Sequence, residues 1–142
     1  KNNVFVHRDF HVSNLMQVKS HIGVLDSQDA LIGNKAYDLA SLIDDVRLKT
    51  THSFKEKIYN FYSKKQHSSE KYKLKNDFQI LSILRNLKII GIFTRLAIRD
   101  RKKKYLRLIP YTWKLIDTRI NENYIFNDLR KLLMKNFKKK ML

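Results

Sequence analysis

Val4-Phe5-Val6-His7-Arg8-Asp9-Phe10-His11-Val12-Ser13-Asn14 is the stretch from which the rest of the 142-residue chain is read. Three β-prone apolar residues run straight into His7-Arg8-Asp9, so a short strand delivers polar groups to its own end. Downstream, Leu15-Met16-Gln17-Val18 and Ile22-Gly23-Val24-Leu25 read as two further strands. Lys19-Ser20-His21 joins them as a three-residue hairpin loop. In that register Val18 faces Ile22 and Asn14 faces Asp26, which sets the two Cβ atoms about 4.5–5.5 Å apart. An amide oxygen and a carboxylate so placed can share one Mg²⁺, whose ligand distances are about 2.0–2.1 Å. Asp9 lies on the loop that enters the same hairpin and faces the same point. A metal-binding pair beside a free carboxylate is equipment for phosphoryl transfer: the metal neutralises a polyphosphate, and the carboxylate orients a hydroxyl and takes its proton. The plainer reading makes each of the three residues a turn cap. It serves for any one of them and fails to explain all three in one register.

Beyond the hairpin, residues 27–35 read as a loop with Gly33-Asn34 as its turn signal. From Tyr37 the period changes, and Leu39, Leu42, Ile43 and Val46 follow the spacing of an amphipathic helix. Further helices are predicted over 54–64, 74–99, 111–119 and 124–137. The second of these is apolar around most of its circumference (Ile80, Ile83, Leu84, Leu87, Ile90, Phe93, Leu96), which predicts a central, buried helix. Phe126, Leu129, Leu133 and Phe137 give the last helix one apolar face. Pro110 separates two helices, since proline cannot continue the preceding one. The expected fold class is α+β, mainly α: a β element carrying the polar cluster in residues 1–36, then a helical part over 37–142.

Composition narrows the partners. There is no cysteine, which excludes disulfide scaffolds, thiolate zinc sites and thiol catalysis. No apolar run approaches the length of a membrane span, and Lys1-Asn2-Asn3-Val4 lacks the apolar run of a signal peptide. The expected location is the cytoplasm, with no membrane partner. The net charge is +17, yet residues 1–50 hold six bases and six acids, so the whole excess falls in 51–142. Such asymmetry is one signature of nucleic-acid binding. Lys, Ile and Asn together supply 46 of 142 residues, with only three glycines and one proline. A coding bias toward A and T explains this as well, so nucleic acid is not the expected partner. Arg85, Lys88, Arg95 and Arg99 fall within about 80° on a helical projection and are expected to form a polar edge neutralised by carboxylates. Lys138-Lys139-Lys140 reads as a solvated tail.

His7-Arg8-Asp9 through Asn14 also resembles the H-R-D-x-x-x-x-N catalytic loop of the protein-kinase superfamily. Asp26 stands where that superfamily has its D-F-G aspartate, but Ser27-Gln28 follows instead of Phe-Gly. The chain is more similar to the aminoglycoside phosphotransferase family, through the helix start Tyr37-Asp38-Leu39-Ala40. Val24-Leu25-Asp26-Ser27-Gln28-Asp29-Ala30 resembles the bacterial branch that phosphorylates cell-wall amino sugars, the N-acetylmuramate and N-acetylglucosamine kinases. Arg85-Asn86-Leu87-Lys88-Ile89-Ile90-Gly91-Ile92-Phe93, the segment from Arg99 to Leu106 and Leu108-Ile109-Pro110 are similar to it as well. Ser27, where an aromatic is usual, and Asn34-Lys35, where a Gly-Pro turn is usual, are departures that bear on substrate choice.

The resemblance implies the C-terminal lobe of a kinase-like phosphotransferase, with ATP as co-substrate, Mg²⁺ as cofactor and an amino-sugar hydroxyl as acceptor. Asp9 is then the catalytic base, and Asn14 and Asp26 the metal ligands. His11 stands where many protein kinases place a lysine facing the transferred phosphate. Asp29 is a candidate for a sugar hydroxyl. His7 supports the loop by packing and hydrogen bonding, and Asp38 resembles the aspartate that braces the loop through backbone N–H groups. Neither a glycine-rich strand–turn–strand nor a phosphate-holding strand lysine occurs in these residues, so the N-terminal nucleotide lobe of the same protein is an expected partner. Two other readings stand beside this one. The first is a catalytically silent, lobe-only binding module, and the second a basic helical domain that binds nucleic acid.

Overall fold

The computed structural model describes residues 3–137, and the lysine tail at 138–140 lies outside them. The chain divides into two compact units, Lys1–Leu81 and Ser82–Leu142.

The first unit contains four short strands in two separate two-stranded antiparallel sheets. Strand β1 (Val4–Val6) pairs with β4 (Leu31–Gly33), and β2 (Leu15–Val18) pairs with β3 (His21–Val24). The β2–β3 hairpin is thus an excursion between two strands that close on each other. The register Val6↔Leu31 matters most. It brings the chain leaving β1 at His7-Arg8-Asp9 alongside the chain entering β4 from Asp29-Ala30. Strand β4 falls in the region predicted as loop. Three residues are too few to show an alternation, and they become a strand only through β1. Gly33 is its last residue, not a turn. A Cβ there would meet Val6 Cγ2 at 3.2 Å, so the glycine serves close approach.

The hairpin register also differs from expectation. Val18 pairs with His21 and Leu15 with Val24, so the loop is the two residues Lys19-Ser20. Lys19 takes the positive φ (54°) that such a tight turn requires. A one-residue shift follows, and Asn14 faces Leu25, not Asp26.

Helix α1 (Ala36–Ile43) begins where Asn34 Oδ1 accepts the Ala36 N–H (2.9 Å). Helix α2 (His52–Lys64) begins two residues ahead of the apolar pattern because Thr51 Oγ1 accepts the Phe54 N–H (3.2 Å). The unit's core joins Ala36, Leu39, Ala40 and Ile43 of α1 to Ile58, Tyr59 and Tyr62 of α2, with Leu74 and Phe78 of α3 (Ser68–Ile98). Ala36 and Ala40 are fully buried; with only a methyl group each, they let neighbouring elements approach α1 closely. Helix α3 starts at Ser68, earlier than predicted, because its first turn is polar and carries no apolar period.

In the second unit, α4 (Ile109–Asn121) buries Ile109, Trp113, Leu115, Ile116 and Ile120. Pro110 sits in its first turn, where a missing N–H costs nothing. A 3-10 turn (Lys103–Leu108) precedes α4, and another (Tyr124–Phe126) leads into α5 (Asn127–Phe137). Tyr105 lies against Phe93 at 5.2 Å and Phe137 against Trp113 at 5.1 Å between ring centroids. The long helix is not buried all round: Ile83 and Phe93 are buried, whereas Ile80 and Leu84 are exposed. Nor do the four bases form one edge, since Arg85 is buried and Lys88, Arg95 and Arg99 are exposed, Arg99 pairing with Asp100 at 2.6 Å. Among the described residues no helix is long and apolar enough to cross a membrane.

Candidate active site

Asp38, in the first turn of α1, holds the polar segment that leaves β1. Its Oδ2 accepts the His7 N–H at 2.7 Å and its Oδ1 accepts the Arg8 N–H at 2.9 Å. Arg8 has φ 72°, a left-handed conformation costing a side-chain-bearing residue about 1–3 kcal/mol. Two hydrogen bonds to a carboxylate, at about 1.5–3 kcal/mol each, outweigh that cost. The chain can therefore turn sharply just before Asp9.

After the turn the loop closes on the Asp9 carbonyl, which accepts the His11 N–H (3.0 Å) and the Asn14 side-chain Nδ2–H (3.0 Å). The Asn14 N–H goes to the His11 carbonyl (2.9 Å). Val12–Asn14 forms a 3-10 turn, whose Val12 N–H goes to Asp45 Oδ2 at 3.3 Å. Asp45, 1% exposed, also accepts the Arg47 N–H (3.0 Å). The Asn14 carbonyl accepts the Leu25 N–H (2.9 Å), which fixes Asp26 one residue beyond the loop's anchor. Asp26 itself has φ 68°, a conformation that aspartate tolerates better than most residues.

The structure therefore brings Asp9 and Asn14 into one bonded loop and sets Asp26 beside it. Asp9 and Asn14 are half-buried, and Asp26 and Asp29 are exposed. Arg8 Nη1 donates to the Asp29 carbonyl at 3.3 Å, tying the two segments together. His7 is 4% exposed, with its ring edge-on to Phe10 at 6.1 Å. Neither of its ring nitrogens has a hydrogen-bond partner among the described residues, so its ring contributes packing and its hydrogen bond is the backbone one to Asp38. His11 is buried, at 7% exposure, and is not on the exposed surface where Asp26 lies.

The donor set suits Mg²⁺. Asn14 spends its amide nitrogen on Asp9, which would leave Oδ1 as its ligand atom, and Asp26 would add a carboxylate. Two protein oxygens, with the other positions left to phosphate and water, are what Mg²⁺ takes. Among the described residues no group of three or more His, Cys, Asp or Glu is gathered, as an all-protein cage would need.

Sequence reasoning missed the other buried acids. Asp44 and Asp45 follow α1, each 1% exposed. Asp44 pairs with the Lys55 ammonium at 3.2 Å, and that ammonium also donates to the Ile43 carbonyl. Asp45 lies beyond the end of α1, past the non-helical Asp44, so no helical spacing relates it to Asp38 and the sequence carries no periodic signal for it. A cavity of about 260 Å³, lined in part by Asn34, Lys35, Glu70, Lys73 and Asp77, lies at the Val4↔Gly33 end of the β1–β4 ladder, away from Asp9. There the Lys35 ammonium, 2.6 Å from Glu70, holds the Glu70 carboxyl below its ordinary range.

Residues 1–72 match the phosphotransferase enzyme family. The chain is similar to three bacterial proteins, each named N-acetylmuramate/N-acetylglucosamine kinase. That of Neisseria meningitidis serogroup B is 40% identical over 116 residues, 75% of this chain and 34% of the relative. That of Caulobacter vibrioides is 31% identical over 119 residues, 80% of this chain and 33% of the relative. That of Pseudomonas aeruginosa is 34% identical over 138 residues, 92% of this chain and 40% of the relative. The chain thus spans about a third to two-fifths of the length of the curated relatives it matches.

Proposed function

Because the chain belongs to the phosphotransferase enzyme family, we propose that it carries the proton acceptor and metal ligands of an ATP-dependent kinase. The acceptor in this reading is a hydroxyl of an amino sugar of the N-acetylmuramate or N-acetylglucosamine class, of the kind met in cell-wall recycling. The work is done in the cytoplasm, where ATP is available. Asp9 orients the sugar hydroxyl and takes its proton as the new O–P bond forms. Asn14 and Asp26 hold Mg²⁺, which supplies charge neutralisation on the polyphosphate. Asp38 fixes the backbone ahead of Asp9. A nucleotide lobe outside these 142 residues, with a glycine-rich hairpin and a strand lysine, closes the other wall of the cleft. The relatives' greater length supports that part of the reading.

The observation that carries the proposal is the Asn14 Nδ2–H bond to the Asp9 carbonyl (3.0 Å). It locks the ligand amide to the residue that bears the base, so metal and proton acceptor keep a fixed relation. Positioning of this kind is most of what phosphoryl transfer requires. The test is sugar-dependent ADP release by the protein from its complete reading frame, with ATP, Mg²⁺ and either amino sugar. Turnover is expected there and not from the 142 residues alone. Asn14→Ala and Asp26→Ala should each raise the Mg²⁺ requirement, Asp26→Ala more, since it removes a charge as well as a ligand. No sugar-dependent release from the complete protein, or an unchanged Mg²⁺ titration in both variants, would overturn the reading.

A further inference from the structure

We infer that the outward face of α2 is a docking surface for an anionic phospholipid membrane, and this inference stands apart from the kinase reading above. Helix α2 needs one face for the core, where it supplies Ile58, Tyr59 and Tyr62, with Lys55 buried as well. Its outward face carries two phenylalanines where polar residues would serve: Phe54 is 49% exposed and Phe61 66%. Seven residues separate them, so they stand on one line of the helix, about 10 Å apart along its axis. Lys57 and Lys64 are exposed too, and at roughly 100° per residue they fall within about 80° of that line. Lys65 caps the helix and sets its ammonium over the Phe61 ring at 4.7 Å. The one acid of α2, Glu56, projects about 160° from Phe54 and faces His52 at 3.6 Å. The outward face is therefore apolar and basic, with no charge of its own to neutralise the lysines. Two protruding rings among three cations suit a flat surface that is negatively charged outside and apolar beneath. The rings enter the acyl boundary while the ammonium groups stay at the phosphates. Such a contact needs no membrane-spanning run. A second copy of the chain would set lysine against lysine. Single-stranded nucleic acid stacks its bases along basic grooves, whereas this face is the convex side of one helix, and Lys65 already occupies one side of the Phe61 ring.

The test uses the complete protein and vesicles of equal parts phosphatidylglycerol and phosphatidylethanolamine, with phosphatidylcholine vesicles as the neutral control. Cosedimentation is expected with the first and should be at least about tenfold weaker with the second. Phe54→Ser combined with Phe61→Ser should weaken binding to the anionic vesicles by about tenfold or more. Lys57→Gln combined with Lys64→Gln should weaken it by about twentyfold, at about fivefold per lysine. All four side chains are exposed, so the melting temperature should hold in both double variants. Phe61→Trp gives a direct readout. Its emission beyond that of the parent should shift to the blue on mixing with anionic vesicles and be quenched by brominated acyl chains. Binding that survives either double variant at the parent's strength would overturn the proposal, as would no binding to anionic vesicles at all. Emission from Phe61→Trp that is already blue before vesicles are added would overturn it too, by showing that another part of the protein covers this face. Tighter binding of an oligouridylate than of vesicles, lost in the double phenylalanine variant, would make the face a nucleic-acid platform instead. No sugar or ATP enters these measurements, so they stand or fall separately from the kinase reading.

Discussion

The two units of the chain use their buried charge in opposite ways. In Lys1–Leu81, thirteen bases stand against nine acids, and in Ser82–Leu142 seventeen against four. In the first unit two acids hold irregular backbone: Asp38 accepts from His7 and Arg8, and Asp45 from Val12 and Arg47. In the second unit two polar contacts run along the chain's own helical direction. Arg119 reaches Glu122 one turn away at 2.7 Å, and Thr112 Oγ1 donates to the Leu108 carbonyl at 2.8 Å. A helix already satisfies its backbone internally, so its side chains need only satisfy themselves. An irregular loop has orphan N–H groups and needs carboxylates brought to it from elsewhere. Asp38 and Asp45 therefore mark where the backbone of the first unit is held from outside itself.

The sharpest way to break that contrast is Asp9→Asn. Among the described residues only the Asp9 carbonyl is hydrogen-bonded, not its carboxylate, so the substitution should leave melting temperature and ATP binding nearly unchanged. Loss of a positioned proton acceptor should lower kcat by about 10²–10⁴-fold in the complete protein. Single-turnover ADP formation measures this directly. A rate within a fewfold of the parent would remove Asp9 from the chemistry.

The counterpart in the second unit is Trp113→Ala. Trp113 is 3% exposed and packs on Phe137, so truncation should cost about 3–5 kcal/mol of stability through the cavity it leaves. Activity per folded molecule should stay within about twofold, because only packing is lost. Urea denaturation and an active-site titration separate the two quantities. A tenfold fall in kcat of the folded fraction would end the division of labour drawn above.

Much of this was legible in the residues, and the failures have physical causes. The helices at 54–64 and 111–119 were predicted within a few residues of their ends because an apolar period of 3.6 survives in one dimension. Strand β4 was invisible because Leu31–Gly33 is defined by its partner β1, 27 residues upstream, and not by itself. The hairpin register slipped by one because Lys19, with its side chain, accepts a positive φ that sequence assigns to glycine or asparagine. His7-Arg8-Asp9 and Asn14 stood out as chemistry, whereas Asp44 and Asp45 passed unnoticed at a helix end. Their burial depends on Lys55 and on the Val12–Asn14 turn, neither of which a linear pattern brings near them.

The smallest expected effect compares two exposed ion pairs, one in each unit. The Lys35 hydrogen bond and charge lower the pKa of Glu70, and the Arg99 hydrogen bond lowers that of Asp100. A carboxyl lowered on folding binds its proton less tightly in the folded chain. Its contribution to stability is complete above the unfolded value, 4.5 for Glu70 and 3.8 for Asp100. It vanishes as pH falls through the lowered folded value. The two pairs differ in the unfolded chain. Lys35 and Glu70 are 35 residues apart and separate on unfolding, whereas Arg99 and Asp100 are adjacent and stay near each other. The Asp100 shift is therefore partly present in both states and cancels. Melting curves across the acid range should show that Lys35→Met flattens the fall in stability below about pH 4.5, while Arg99→Met leaves its own curve nearly parallel to the parent's. Salt should shrink the Lys35 effect, since both partners are solvated. A Lys35→Met curve parallel to the parent's would show that the Lys35–Glu70 contact adds nothing, and an Arg99→Met curve that flattens as much would show that sequence separation does not decide the difference.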